Sequence, residues 1–520
     1  MALARTHSVA IVGVAGHLIE VEADIAQGLP MTILIGLPDT ALREARDRIR
    51  AAITNSGERW PQQKITVGLS PASLPKRGSG FDLAIAVAIM AASNALPLSA
   101  PAGKMFLAEL GLDGQLRPVP GVLPAVATAE PRVDTVVVAA ENAAEARLVP
   151  GVRVVAASSL AEVAIWLRGG PPPTPPPSPA PSPRPRGPRG PGGKPLTARA
   201  VLDLADVLGQ SEARMAAEIC AAGGHNLSLL GPPGAGKTML AERLPTILPR
   251  LDAAAALEVT SIHSVAGTLV PGAGLVSEPP FCAPHHTASK AAIVGGGSGL
   301  IRPGAASLAH RGVLFLDEAP EFGRDVLDAL RQPLEAGEVV IARQAMTARF
   351  PARFTLVLAA NPCPCARAAT PGGAACECSP AARRRYLGRL SGPLLDRVDI
   401  KITLEPVNRQ EMLYDRKRAE TSAVVAGRVQ AARDHAARRL AGTPWRLNGE
   451  IPGAELRRAF PPEQGALKSL DRAMELGQVS ARGADKIVRV AWSVADLAGK
   501  PRPGAGEIDV AIALWLGVTR

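Results

Sequence analysis

The sequence predicts a multidomain α/β protein: an α+β domain, then a nucleotide-binding core on a parallel sheet, then a helical domain. Three observations carry this. The chain has 520 residues, more than one hydrophobic core sustains. Gly231-Pro232-Pro233-Gly234-Ala235-Gly236-Lys237-Thr238 fills every fixed position of a phosphate-binding loop. A run dominated by proline and glycine divides the chain, and beyond residue 407 arginine- and alanine-rich helical patterns take over.

Residues 1–167 read as the first domain. Apolar residues alternate over Val9–Val14, Leu18–Ala23 and Ile33–Leu37, Ala41–Thr54 takes helical spacing, and Ile65–Leu69 alternates again, so each element can bury one face. An apolar helix then runs through Met90. Arg43, Arg46, Arg48 and Arg50 are interleaved with Glu44 and Asp47, the pattern of a solvated helix face. Residues 168–195 form a linker. Six basic and no acidic residues lie between Arg168 and Arg199, but a segment so rich in proline cannot bury enough apolar surface to fold. The nucleotide-binding core spans 196–406 and the helical domain 407–520.

Within the core, Asn226–Leu230 reads as a buried strand and Met239–Leu248 as a helix, which gives the loop between them its required setting. The glycines let backbone N–H groups approach phosphate oxygens, Lys237 adds a point charge, and the Thr238 hydroxyl offers a ligand to Mg²⁺. This is ATP-binding chemistry. About 80 residues on, Gly312–Glu318 is an apolar strand that ends in two carboxylates. Asp317 suits the Mg²⁺ shell, and Glu318 can orient and polarise the attacking water. A further strand, Phe354–Ala360, ends in Asn361, whose amide can hydrogen-bond that water or the γ-phosphate. Arg397 stands at the mouth of the strand Val398–Leu404, where a guanidinium can reach a neighbouring subunit's γ-phosphate. Such a site requires an oligomer.

Cys363-Pro364-Cys365 and Cys376-Glu377-Cys378 are two CxC pairs ten residues apart. Four thiolates can complete a tetrahedral shell, which points to structural Zn²⁺, and Gly372-Gly373 lets the chain close on itself. The spacing is tighter than the usual two or more residues between paired cysteines, so reduced thiols and a redox or iron–sulfur role stay open. Arg383, Arg384 and Arg385 follow with Tyr386, a combination suited to a nucleic-acid backbone or to a solvated loop.

These motifs, with Phe281–Ser289, Gly295-Gly296-Gly297, Pro303-Gly304, Ser307–His310 and Leu330–Glu335, resemble the AAA+ superfamily in its magnesium-chelatase-like branch. Over nearly all the chain they resemble the YifB/ComM family. The resemblance implies an AAA+ core with a helical lid, using ATP and Mg²⁺ as a homo-oligomeric ring, six subunits being usual. It also implies a helicase that drives branch migration on DNA, branched or single-stranded. It makes Arg482, which opens a helix at Ser480-Ala481-Arg482, a second sensor for phosphate in cis, with Arg489 as fallback. It turns the segment with His285 and His286 toward the ring channel or the nucleotide; beside Cys282 these histidines lack the second ligand pair of a zinc site. Pro75–Leu83 and Gly111–Gly121 resemble the Lon-protease-like (ribosomal S5 domain 2-like) fold. Alignment puts Gly80 where that family's serine nucleophile stands and Leu123 where its lysine stands, which implies a proteolytically inactive domain for assembly or substrate binding.

Composition narrows the classes. With 58 basic and 47 acidic residues the formal charge is +11, which favours a polyanionic partner. No uncharged apolar run reaches 18 residues and no cleavable signal pattern opens the chain, so the expectation is a soluble cytoplasmic protein with no membrane partner. Six cysteines at this length are no disulfide scaffold. Besides the DNA motor, a chelatase-type ATPase that remodels a protein partner for metal insertion remains, and an ATP-dependent protease is disfavoured by Gly80 and Leu123.

Overall fold

The computed structural model describes residues 2–36, 39–74, 76, 78–129, 133–174, 202–270, 272–297, 301–343, 346–367 and 376–517. Most of the linker and the Gly372-Gly373 pair lie outside them.

Two long strands, Ala2–Val12 and Ala15–Ala26, form an antiparallel hairpin in register from Ala2↔Ile25 to Val12↔Ala15. The tight turn needs Gly13 at φ +67°, and a Cβ there would fall 2.3 Å from the Arg349 carbonyl oxygen. The hairpin is the centre of a seven-stranded mixed sheet ordered Met31–Ile35, Lys64–Ser70, Ala15–Ala26, Ala2–Val12, Lys104–Leu107, Thr135–Ala139, Arg153–Ala157. The strands and helix expected over residues 9–69 are all present, the helix as Asp39–Asn55. Helix Asp82–Ala92 is buried at every residue, as a helix that is apolar all round after its first residue must be. Its Asp82 pairs with Arg48 at 2.8 Å, yet burial still pushes that carboxyl up to about 6.

The second body is a five-stranded parallel sheet ordered Phe281–Cys282, Val313–Leu316, Thr355–Ala360, Leu227–Leu230, Ile400–Thr403. Continuous apolar runs such as Val313-Leu314-Phe315-Leu316 fit strands covered on both faces. On one face Leu227, Leu229, Phe315 and Val357 share a single core with Ile487, Trp492, Ile508 and Leu514 from the C-terminal helices. The helical region therefore completes the nucleotide core. The other face buries Leu314, Leu316, Leu356 and Leu358 against Ile293, Phe322 and Leu327.

The two bodies meet where Ile11 and Val14 pack on Val265, Ile301, Ala348 and Phe350. Among the described residues no helix is long and apolar enough to cross a membrane.

Candidate nucleotide site and cysteine cluster

All five parallel strands end at the same edge, and the phosphate loop opens there. It runs from Gly231 through Pro232, Pro233, Gly234 and Ala235 to Gly236, with Gly234 at φ +80° and Gly236 at φ +92°. That left-handed backbone is what glycine supplies cheaply. The helix starts at Lys237, two residues before the apolar pattern begins, because Gly236 caps it. Lys237 is 8% exposed. Its ammonium donates to the Gly231 carbonyl at 2.6 Å, the Pro232 carbonyl at 3.0 Å and Asn361 Oδ1 at 3.0 Å. Burial lowers its pKa, with Asp317 and Glu318 acting the other way. Three neutral acceptors hold the cation at the phosphate loop.

Strand Thr355–Ala360 lies between the phosphate-loop strand and Val313–Leu316, which puts Asn361 between Lys237 and the acidic pair. Thr238 Oγ1 donates to Asp317 Oδ2 at 2.8 Å. Hydroxyl and carboxylate thus share a point where hard oxygens fit Mg²⁺. Glu318 has a left-handed backbone, φ 49° and ψ 43°, uncommon for a residue other than glycine. Its N–H donates to Asp317 Oδ1 at 2.9 Å. That turn lifts the glutamate off the strand while its carboxylate stays half exposed to water.

His286, in the segment expected to face the ring channel or the nucleotide, lies beside Glu318. Its Nδ1 lies 3.2 Å from Glu318 Oε2, and its ring lies against that of His285, 4.1 Å between centroids and tilted by 33°. Phe281 pairs with Val313 and Cys282 with Leu314; continuing that register brings His286 opposite Glu318. The resemblance turns the segment toward the nucleotide or the channel; the strand pairing is what singles out Glu318 as the partner.

Arg397 and Arg482 are elsewhere. Asn226 Nδ2 donates to the Arg397 carbonyl at 2.8 Å, so Arg397 sits at the start of the phosphate-loop strand, the opposite edge from its own loop. It pairs with Glu335. Burial and repulsion from Arg331 and Arg482 lower its pKa, so the three guanidinium groups are neighbours. The Nε atoms of Arg331 and Arg397 are buried with no hydrogen-bond partner among the described residues. The cis placement expected for Arg482 is not what the fold gives: its helix, Ala481–Leu497, docks through Lys486 on Asp399 at 2.7 Å, beside Arg397. The fallback Arg489 donates to the Ile451 carbonyl at 2.6 Å and does not face the loop either.

The four cysteines converge, their sulfur atoms all within 4.8 Å of one another. Cys363 Sγ is 3.2 Å from Cys365 and 3.3 Å from Cys376, and Cys365 is 3.5 Å from Cys376. The edges of a tetrahedron with Zn–S bonds near 2.3 Å are about 3.8 Å, so the donor set fits. Arg383 Nη2 lies 3.4 Å from Cys376 Sγ.

In the first domain Leu123 is fully buried. Ser79 donates to Glu109, while the buried Lys76 donates to the Pro71 and Leu74 carbonyls. Among the described residues there, Ser79 and Lys76 do not pair with each other. Ser79 and Gly80 instead line a mostly apolar cavity of about 270 Å³ that Val265 and Ile301 of the second body help close.

Comparison with known proteins follows these divisions. Residues 203–412 match the family described as magnesium chelatase, subunit ChlI; residues 21–142 match the subunit ChlI of Mg-chelatase family; and residues 419–514 match its C-terminal family. The chain is 49% identical over 518 residues to an uncharacterized protein of Mycobacterium tuberculosis, covering 99% of this chain and 98% of that one. It is 40% identical over 500 residues to the competence protein ComM of Haemophilus influenzae, covering 96% and 95%. It is 39% identical over 506 residues to the uncharacterized protein YifB of Escherichia coli, covering 96% and 94%.

Proposed function

Since the chain belongs to the YifB/ComM family of magnesium-chelatase-like AAA+ ATPases, we propose that it is a homo-oligomeric ring motor, six-membered by superfamily habit, that hydrolyses ATP to move branched or single-stranded DNA. The single observation that carries the ring is the split of the site. Lys237, Thr238, Asp317, Glu318 and Asn361 gather at one sheet edge, while Arg397, Arg331 and Arg482 cluster at the other. An arginine set held away from its own phosphate loop is placed to serve a neighbour's.

In the proposed cycle the Lys237 ammonium leaves the Gly231 and Pro232 carbonyls for the β- and γ-phosphates, and Thr238 and Asp317 would hold Mg²⁺. When bound, that ion neutralises phosphate charge. Glu318 orients water and takes its proton, Asn361 holds the γ-phosphate side, and the neighbour's Arg397 and Arg482 stabilise transition-state charge.

DNA as the substrate is supported by the +11 charge and by Arg383, Arg384 and Arg385 on the helix Pro380–Leu387. Competence is the process printed in the name of the Haemophilus relative. Cys363, Cys365, Cys376 and Cys378 we assign to structural Zn²⁺ on their fit to a tetrahedral shell. A cytoplasmic location accompanies this reading. The ChlI family matches favour the second reading, a chelatase-type ATPase that remodels a protein partner.

ATP turnover measured with and without single-stranded and branched DNA at fixed salt separates the two. The motor requires stimulation by branched DNA that disappears in Lys237→Ala and Glu318→Gln. DNA that neither binds nor changes turnover rules it out and leaves the chelatase-type reading.

A further inference from the structure

The cysteine cluster is wired into the nucleotide site from both of its ends. On one side Cys363 follows Asn361 by two residues and is 2% exposed, so the first ligand sits in the floor of the core. On the other side Cys378 leads through the cap Ser379 into helix Pro380–Leu387, with Ser379 accepting from the Ala382 N–H. That helix carries Tyr386, which is buried, and its hydroxyl oxygen faces the Asn361 backbone N–H. The loop thus leaves from Asn361 and returns to it. Asn361 Oδ1 in turn accepts from Lys237 at 3.0 Å.

Hydrogen-bond donors also stand beside two of the sulfurs. The Cys378 N–H faces Cys376 Sγ, the Cys365 N–H faces Cys378 Sγ, and Arg383 Nη2 stands 3.4 Å from Cys376 Sγ. Outer donors of this kind orient thiolate ligands and offset the net charge of a tetrathiolate site. Without a crosslink, the described contacts that hold Cys365 and Cys376 to Cys378 against the buried root are thiol contacts, the Arg383 contact to Cys376 and an exposed Arg367–Glu377 pair at 3.9 Å, each weak beside a metal–thiolate bond. With four metal bonds, the two ends of the loop are fixed relative to each other, and freedom at Asn361 is lost with them.

We infer that Zn²⁺ at Cys363, Cys365, Cys376 and Cys378 is a clamp on the sensor arm, holding Asn361, and through it Lys237, in the geometry hydrolysis requires. The inference rests on the zinc assignment above and adds its consequence for turnover. Cys363, Cys365, Cys376 and Cys378 are positioning residues: none touches nucleotide. Because Asn361 acts on the γ-phosphate side, losing the clamp should reduce kcat far more than ATP binding.

The test uses full-length protein purified without chelator, with Cys365→Ser and Cys376→Ser, at exposed or half-exposed positions that leave the buried Cys363 intact. Wild type should carry about one zinc per chain and each variant below about a fifth of that. Cobalt(II) exchanged into wild type should give the strong visible absorption of a tetrahedral thiolate site. In the variants kcat should fall about tenfold or more, with KM for ATP within about threefold. Should a variant not fold, chelation of wild type followed by zinc return must produce the same loss and recovery of kcat. Metal loss with kcat unchanged would overturn the clamp and leave the zinc site standing. Wild type with no zinc and no cobalt spectrum would overturn both.

Discussion

Arg397→Ala is the perturbation whose outcome the fold constrains most. The strand Leu227–Leu230 alone separates Arg397 from its own phosphate loop by roughly 10 Å, at about 3.3 Å per residue. Its side chain is already committed sideways to Glu335. It cannot serve in cis. An arginine supplied by a neighbour is worth about 10³- to 10⁵-fold in turnover, about 4–7 kcal/mol of transition-state stabilisation. Arg397→Ala should therefore bind ATP and assemble normally and lose hydrolysis by a factor in that range. Mixing makes the test sharper. In rings formed at random from equal amounts of Arg397→Ala and Lys237→Ala, a site is complete when the first supplies the loop and the second the arginine. About one quarter of sites meet that condition, so two inactive proteins should regain roughly a quarter of wild-type phosphate release. If the mixture stays inactive although native mass spectrometry shows mixed rings, or if Arg397→Ala hydrolyses normally alone, the trans placement is wrong.

Other outcomes follow from single contacts. His286→Ala removes the imidazole that lies 3.2 Å from the Glu318 carboxylate; DNA-independent kcat should rise about two- to fivefold with KM for ATP unchanged, whereas a fall in kcat would mean that the histidine orients the glutamate productively. Leu229→Ala opens a cavity in the shared core of sheet and C-terminal helices, where Leu229 is fully buried; urea denaturation should show a loss of about 2–5 kcal/mol, and a loss below 1 would show that the site collapses. His225 is fully buried beside Ser493 Oγ at 2.8 Å, and desolvation pushes its pKa down to about 4. The unfolded chain protonates near 6.5 and the folded one only near 4. Stability from the neutral ring is therefore complete above the unfolded value and lost as pH falls, about 3 kcal/mol across that window. Unfolding curves of His225→Gln should be flatter between pH 6.5 and 4 than those of wild type; equal slopes would assign the acid sensitivity to other groups.

The parallel sheet and the phosphate loop were legible because their signals are local. Val313–Leu316 and Thr355–Ala360 are continuous apolar runs ending in polar residues, and the loop's glycines mark the backbone that only they adopt readily. Arg482 was misplaced for the opposite reason. A helix N-terminus shows in the sequence, with Ser480 as its cap, but where the helix docks depends on the Lys486–Asp399 pair across 87 positions. The His286–Glu318 contact likewise depends on strand register. The return of Tyr386 to Asn361 is set by how one insert folds back. In the first domain the alternating strands were readable. The engagement of Ser79 with Glu109 was not, since Glu109 approaches only after the sheet has formed.

The most direct measurement of the central claim is strand separation of a labelled branched DNA by wild-type protein and Glu318→Gln, with and without ATP, at one fixed salt concentration. An ATP-driven motor gives separated product only with wild type and ATP. Separation that proceeds equally without ATP or in Glu318→Gln, or none at all while wild type hydrolyses ATP at a rate indifferent to DNA, would contradict it.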